Sequence, residues 1–141
     1  MAQRVIIVHS LDHARAALAA AEALSVPLVL ASAPGAAAYV GPAWFQNMIV
    51  LAAAEFPGVE LAAILDCGDR AGDVLAALRQ GIGQVRFTGS KAAAVKLTAL
   101  AERRGAVLLT GRLQGLDLRG RKEPEAACRA WLGGAAVRED E

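Results

Sequence analysis

Short unbroken apolar runs recur roughly every 22 to 33 residues, and each gap between them carries an apolar pattern of helical period. Arg4–His9, Pro27–Ser32, Glu60–Asp66, Val85–Thr88 and Ala106–Thr110 read as strands. Residues 12–24, 42–56, 91–104 and the stretch around Val74, Leu75 and Leu78 read as the helices between them. Because the strands are continuously apolar rather than alternating, both of their faces must be covered, which is the pattern of a parallel sheet. A parallel pair needs a crossover, and crossovers in one sheet are right-handed. All strand carboxyl ends therefore share one rim. The expectation is an α/β fold of about five βα units, a partial TIM-barrel-like sheet. An open doubly wound, flavodoxin-like sheet is the alternative.

The clearest unit is Glu60–Ser90, ELAAILDCGDRAGDVLAALRQGIGQVRFTGS. It gives strand, polar loop, helix, strand and polar loop in the length of one βαβ motif. Pro34-Gly35 and Pro57-Gly58 supply turns, Gly81 and Gly105 close helices, and Pro42 suits a first helical position. Phe45, Met48, Ile49 and Ala52 are expected to face inward, with Trp44 and Leu51 widening that face and Trp44 acting as a core anchor. Inward positions of the next helices include Leu97, Leu100 and Ala101, and the first helix carries Leu18, Ala21 and Leu24. After residue 110 comes a loop, GRLQGLDLRGRKE, then a short helix from Pro124 with Ala127, Cys128 and Trp131. The reading is one α/β domain over residues 1–134 and a charged, frayed tail, VREDE, within residues 135–141.

Composition narrows the function classes. Hydrophobic residues make up 55% and charged residues 21%, so the chain is globular. A net charge of +1 argues against nucleic-acid or membrane-surface binding through bulk charge. Two cysteines are too few for a disulfide scaffold, and no signal-peptide pattern is read at Met1, so a reducing cytoplasmic setting is expected. Residues 23–54 hold no charged side chain, long enough to span a bilayer. Prolines 27, 34 and 42 and glycines 35 and 41 interrupt the stretch, favouring buried strand, turn and helix.

Candidate chemistry lies on the rim. Asp66 is either a general acid or base, or a loop carboxylate accepting backbone amides. Cys67 is a ligand, a nucleophile, or a small buried filler. His9 is the rim histidine closest to such chemistry, whereas His13 reads as a solvated helix residue. Ser10, Ser32, Thr110 and Arg112 stand at strand ends, where they would contact a ligand. Gly89 and Ser90 open a helix in a form suited to an anion, although Ser90 is also a plain cap. Arg112, Arg119, Arg121 and Lys122 in the late loop would bind phosphate or an acidic partner, or form a solvated charge run.

These residues resemble a known family. VELAAILDCGDRAGDVLAALRQGIGQVRFTGS looks like the third and fourth βα units of class II, metal-dependent fructose- or tagatose-bisphosphate aldolases. In that family a strand ends His-Leu-Asp-His-Gly and the next ends Asp-Gly-Ser. LDHARAALAAAEALSVPLVLASAPGAAAYVG is similar to its first helix, second strand and Pro-Gly-Ala-Ala turn, and KAAAVKLTALAERRGAVLL to its following helix and strand. The resemblance covers roughly residues 4 to 110. It implies a barrel fold, zinc and aldehyde-lyase chemistry. Carried over residue by residue, the family's proton-handling aspartate falls on Asp66 and its neighbouring metal histidine on Cys67. The other histidine of that motif falls on Ile64, the phosphate-holding serine on Ala33 beside Ser32, and the strand-four aspartate on Thr88. The acidic positions of strand five fall on Leu109 and Gly111.

A catalytic zinc needs about three protein ligands and an open position. Here Cys67, His9 and Asp66 are all that the rim offers. Eight βα units need upwards of about two hundred residues, so five strands leave edges at the first and fifth that need covering. The expected function is therefore an aldolase-related partial-barrel protein without aldolase activity, a homo-oligomer that binds a small anionic, sugar-phosphate-like ligand at the rim. No cofactor is expected, with zinc as the exception. The alternative is a metal-dependent aldolase-like lyase with Asp66 as acid/base, its ligand set completed across subunits.

Overall fold

The structure, a computed structural model, describes residues 4–134. The tail expected over 135–141 and the start of the chain lie outside the described residues. In chain order the elements are β1 Val5–Ile7, α1 Leu11–Leu24, β2 Leu28–Ala31, a single 3-10 turn at Ala36–Ala38, α2 Pro42–Ala54, β3 Leu61–Asp66 and α3 Ala71–Gln80. They continue with β4 Gln84–Arg86, α4 Lys91–Arg103, β5 Val107–Leu109, β6 Gly115–Asp117 and α5 Pro124–Leu132. The fold is α/β, and its sheet runs β5-β4-β3-β2-β1-β6. The pairs β1–β2, β1–β6, β3–β4 and β4–β5 are all parallel.

β6 corrects the reading of residues 111–123 as loop. Its core signal is a single alternating pair, Leu116 and Leu118, both buried, inside a glycine- and arginine-rich segment. It also corrects the expected edge at β1, which has β2 on one side and β6 on the other, Ile6 standing opposite Leu30 and Leu116. Strands one to five follow chain order, and that order reverses at β1 and β6.

Contacts gather into two compact units. The first comprises the chain up to Ala31, Met48–Ala62 and the chain from Leu113. In it α1 packs against α5, and the fully buried positions of α1 are mostly small: Ala14, Ala17, Ala20 and Ala21 beside Leu18. Ser10 caps α1 by accepting the His13 N–H at 3.2 Å, and Trp131 of α5 donates its indole N–H to the Val5 carbonyl at 3.1 Å.

The second unit comprises Ser32–Asn47 and Ala63–Arg112. Its core is Ile64, Leu65, Val74, Leu78, Val85 and Phe87, with Leu97 and Ala101 from α4. Ser90 caps α4 at the Ala93 N–H, and Gly81 ends α3 in the left-handed conformation. α2 departs from expectation. Phe45, Met48 and Ala52 are buried, but Trp44 is 53% exposed and Leu51 60%, so neither is a core anchor. Residues spaced i, i+3 and i+7 use one stripe of the helix, and an apolar set wider than that stripe spills onto the surface. Leu24 and Leu100 likewise sit at exposed positions. Among the described residues no helix is long and apolar enough to cross a membrane.

Candidate functional site

Asp66 ends β3 with its side chain 3% exposed. Its Oδ1 accepts two backbone N–H groups, from Gly35 at 2.8 Å and Gly68 at 2.9 Å. Its Oδ2 receives Arg86 Nη1 at 2.8 Å. The Asp66 N–H in turn donates to Ser32 Oγ at 2.8 Å, and that hydroxyl donates to the Ala33 carbonyl at 3.4 Å. Both glycines have left-handed φ, 68° and 56°, and a Cβ on Gly68 would lie 3.4 Å from Gly35 Cα. Side chains resist that conformation, so glycine is what lets both turns aim an amide at one oxygen. Arg86 is anchored as well, its Nε donating to the Gly111 carbonyl at 2.8 Å.

Cys67 follows with no exposure; its thiol points back toward the Leu65 carbonyl at 3.9 Å. Burial, aided by Asp73 and Asp66, pushes the thiol up to about 12. It is a protonated thiol at neutral pH, neither a ready metal ligand nor a nucleophile. Cys128 is raised to about 12 in the same way, by burial and then Glu125, with Arg121 opposing.

The carboxyl ends of β4 and β5 hold the next group of candidates. Thr88, Ser90, Thr110 and Arg112 are exposed, and the Thr88 N–H reaches the Gly68 carbonyl at 2.7 Å. Gly89 has a packing reason to be glycine: a Cβ there would meet Phe87 Cζ at 2.3 Å.

In the first unit, Ser10 and His9 stand at the end of β1. His9 Nε2 donates to Asp117 Oδ1 at 2.6 Å, and the same oxygen accepts the Arg119 N–H at 2.9 Å. His13 Nδ1 accepts the His9 backbone N–H at 3.0 Å, and the two rings meet edge to face with centroids 5.7 Å apart. His13 is therefore a built-in acceptor rather than a solvated side chain; burial and then His9 lower its pKa. Burial works to raise the Asp117 carboxyl, but the Arg119 N–H and His9 hold it below its usual range. Sequence reading singled out His9 without Asp117. The only signal for it was the Leu-Asp-Leu alternation that also marks β6.

The zinc implied by the sequence resemblance does not fit these residues. Among the described residues no group of three or more His, Cys, Asp or Glu side chains is placed to hold a metal ion. Cys67 is a buried thiol, Asp66 is engaged on both oxygens, and the His9 Nε2 is taken by Asp117.

A comparison with the curated proteins returns no match. The family model for fructose-bisphosphate aldolase class-II matches residues 1–101, which takes in every element from β1 to most of α4. With that much of its length accounted for, this chain belongs to the class II fructose-bisphosphate aldolase family.

Proposed function

We propose that this chain is an aldolase-family protein that has given up aldol chemistry and works as a self-associating binding protein, with residues 1–134 as its α/β domain. The observation that carries the reading is the state of Asp66. A general acid or base must offer a lone pair or a proton to substrate. Asp66 instead bonds two glycine amides and an arginine from a position 2% exposed, so it acts as a brace between turns. Cys67, standing where the family keeps a metal histidine, is a buried thiol and adds no ligand.

Self-association rests on α2. Its thirteen residues carry no charge, and Trp44, Val50 and Leu51 are 53%, 60% and 60% exposed. Bulky apolar side chains exposed together on an uncharged helix mark a surface that gains by being covered. A second copy of the same helix covers it without burying any charge, and a two-fold pairing does so with a single patch. The anionic ligand of this reading is met by Ser90, Thr110 and Arg112 at the ends of β4 and β5. Ser32 leaves that set, since its hydroxyl is buried and gives its proton to the Ala33 carbonyl, whereas Ser10 and Ser90 cap helices as acceptors and keep a proton to donate.

Light scattering coupled to gel filtration tests the assembly: the wild type should be a homo-oligomer, and Leu51→Glu a folded monomer. A monomeric wild type refutes it. Activity is tested with zinc and a ketose bisphosphate, where no aldol cleavage is expected. Zinc-dependent cleavage abolished by Asp66→Asn would move the assignment to an aldehyde-lyase whose metal, through Cys67 and His9, is completed across subunits.

A further inference from the structure

An open groove of about 1310 Å³ runs between β6, the loop that follows it and α5, wholly within the first unit. Arg119, Arg121 and Lys122 line one part, and Ala126, Ala127 and Ala130 form a floor without side chains beyond Cβ. Trp131 is a fixed wall, held by its indole N–H on the Val5 carbonyl and by the Arg4 guanidinium 4.7 Å from its ring centroid. The carboxylates on the lining are Asp117 and Glu123. His9 Nε2 and the Arg119 N–H share Asp117 Oδ1, and the Arg119 guanidinium also acts on that carboxylate. Three cationic side chains against two carboxylates leave the lining net positive. The groove follows β6, the outermost strand of the sheet on that side, from Gln114 to Asp117.

We infer that this groove binds a phosphate ester carrying a flat aromatic body, the class to which mononucleotides belong. Guanidinium and ammonium groups recognise phosphate oxygens, the arginine through paired donors. Bare phosphate would leave most of the groove empty. An indole wall and an alanine floor suit a planar ring. His9 is a positioning residue: its Nε2 holds Asp117 Oδ1 and offsets part of the negative charge on the lining. The inference shares only its anionic ligand with the function proposed above, and it uses different residues.

Isothermal titration calorimetry of the full chain with AMP and ADP tests it, with Trp131 fluorescence followed in a Trp44→Phe background. Binding with a dissociation constant below about 1 mM and a change in Trp131 emission are expected. Arg119→Ala and Lys122→Ala should each weaken ADP at least about tenfold, corresponding to about 1.4 kcal/mol. His9→Ala should weaken it and His9→Gln, which keeps a donor for Asp117, should restore it. Equal affinity for inorganic phosphate would mean the ring is not read, and equal affinity for adenosine would mean the cations are not used. Either result overturns the inference. If Arg112→Ala abolishes binding while Arg119→Ala does not, the anion belongs at the ends of β4 and β5 and the groove is refuted.

Discussion

Replacing Asp66 by asparagine should cost stability. The substitution keeps an oxygen for the Gly35 and Gly68 amides, 2.8 and 2.9 Å away, but turns the atom facing Arg86 into a donor or a neutral acceptor. Arg86 is then left 15% exposed without a carboxylate. Removing one partner of a buried ion pair costs about 3–5 kcal/mol. Arg86 keeps its bond to the Gly111 carbonyl and some solvent, so the lower end, about 3 kcal/mol, is the expected loss. A domain of this size has only about 5–15 kcal/mol in total. The midpoint of thermal unfolding should fall by about 10 °C. Urea unfolding followed by circular dichroism measures the loss directly. Arg86→Met and the double variant complete a cycle, with a coupling of about 2 kcal/mol expected. An Asp66→Asn loss under about 1 kcal/mol, or no coupling, would refute the brace and return Asp66 to the pool of free acids.

Other outcomes follow from the same geometry. Native protein at pH 8 should react slowly with a thiol reagent at both Cys67 and Cys128, whose thiols are raised to about 12, and quickly once unfolded; fast native reaction contradicts their burial. His13 has a folded pKa below its ordinary 6.5, so its contribution to stability is present above that value and is lost as pH falls through it toward the folded pKa. Thermal melts between pH 7.5 and 5.5 should therefore drop more for wild type than for His13→Asn, and parallel curves would refute the role. Gly89→Ala should destabilise by about 1–3 kcal/mol, because its Cβ would lie 2.3 Å from the Phe87 ring; an unchanged melting midpoint refutes the contact.

The parallel α/β character was legible because strands such as Leu28–Ala31 are apolar on both faces and helices such as α4 open on a serine able to cap them. Glycines 81 and 105 marked helix ends for the same local reason. β6 was not legible: three residues with one buried leucine inside a basic segment carry too little periodicity to register. Missing it also hid Asp117, and with it the partner of His9. The fate of Trp44 was likewise invisible, since an uncharged helix gives no polar face by which to orient it. For Asp66 the sequence offered two roles, general acid/base or acceptor of backbone amides. Both Gly35, thirty-one positions upstream, and Arg86, twenty downstream, had to be brought close before its bonds could be counted.

That long-range knot bears on what it would take to free the carboxylate for chemistry. Histidine in place of Cys67 would add an imidazole but leave the neighbouring Asp66 tethered. Loosening it means unlatching the Gly35 and Gly68 loops and stranding a guanidinium. A variant that frees Asp66 therefore needs another clasp for those loops, or it gives up the stability the knot supplies.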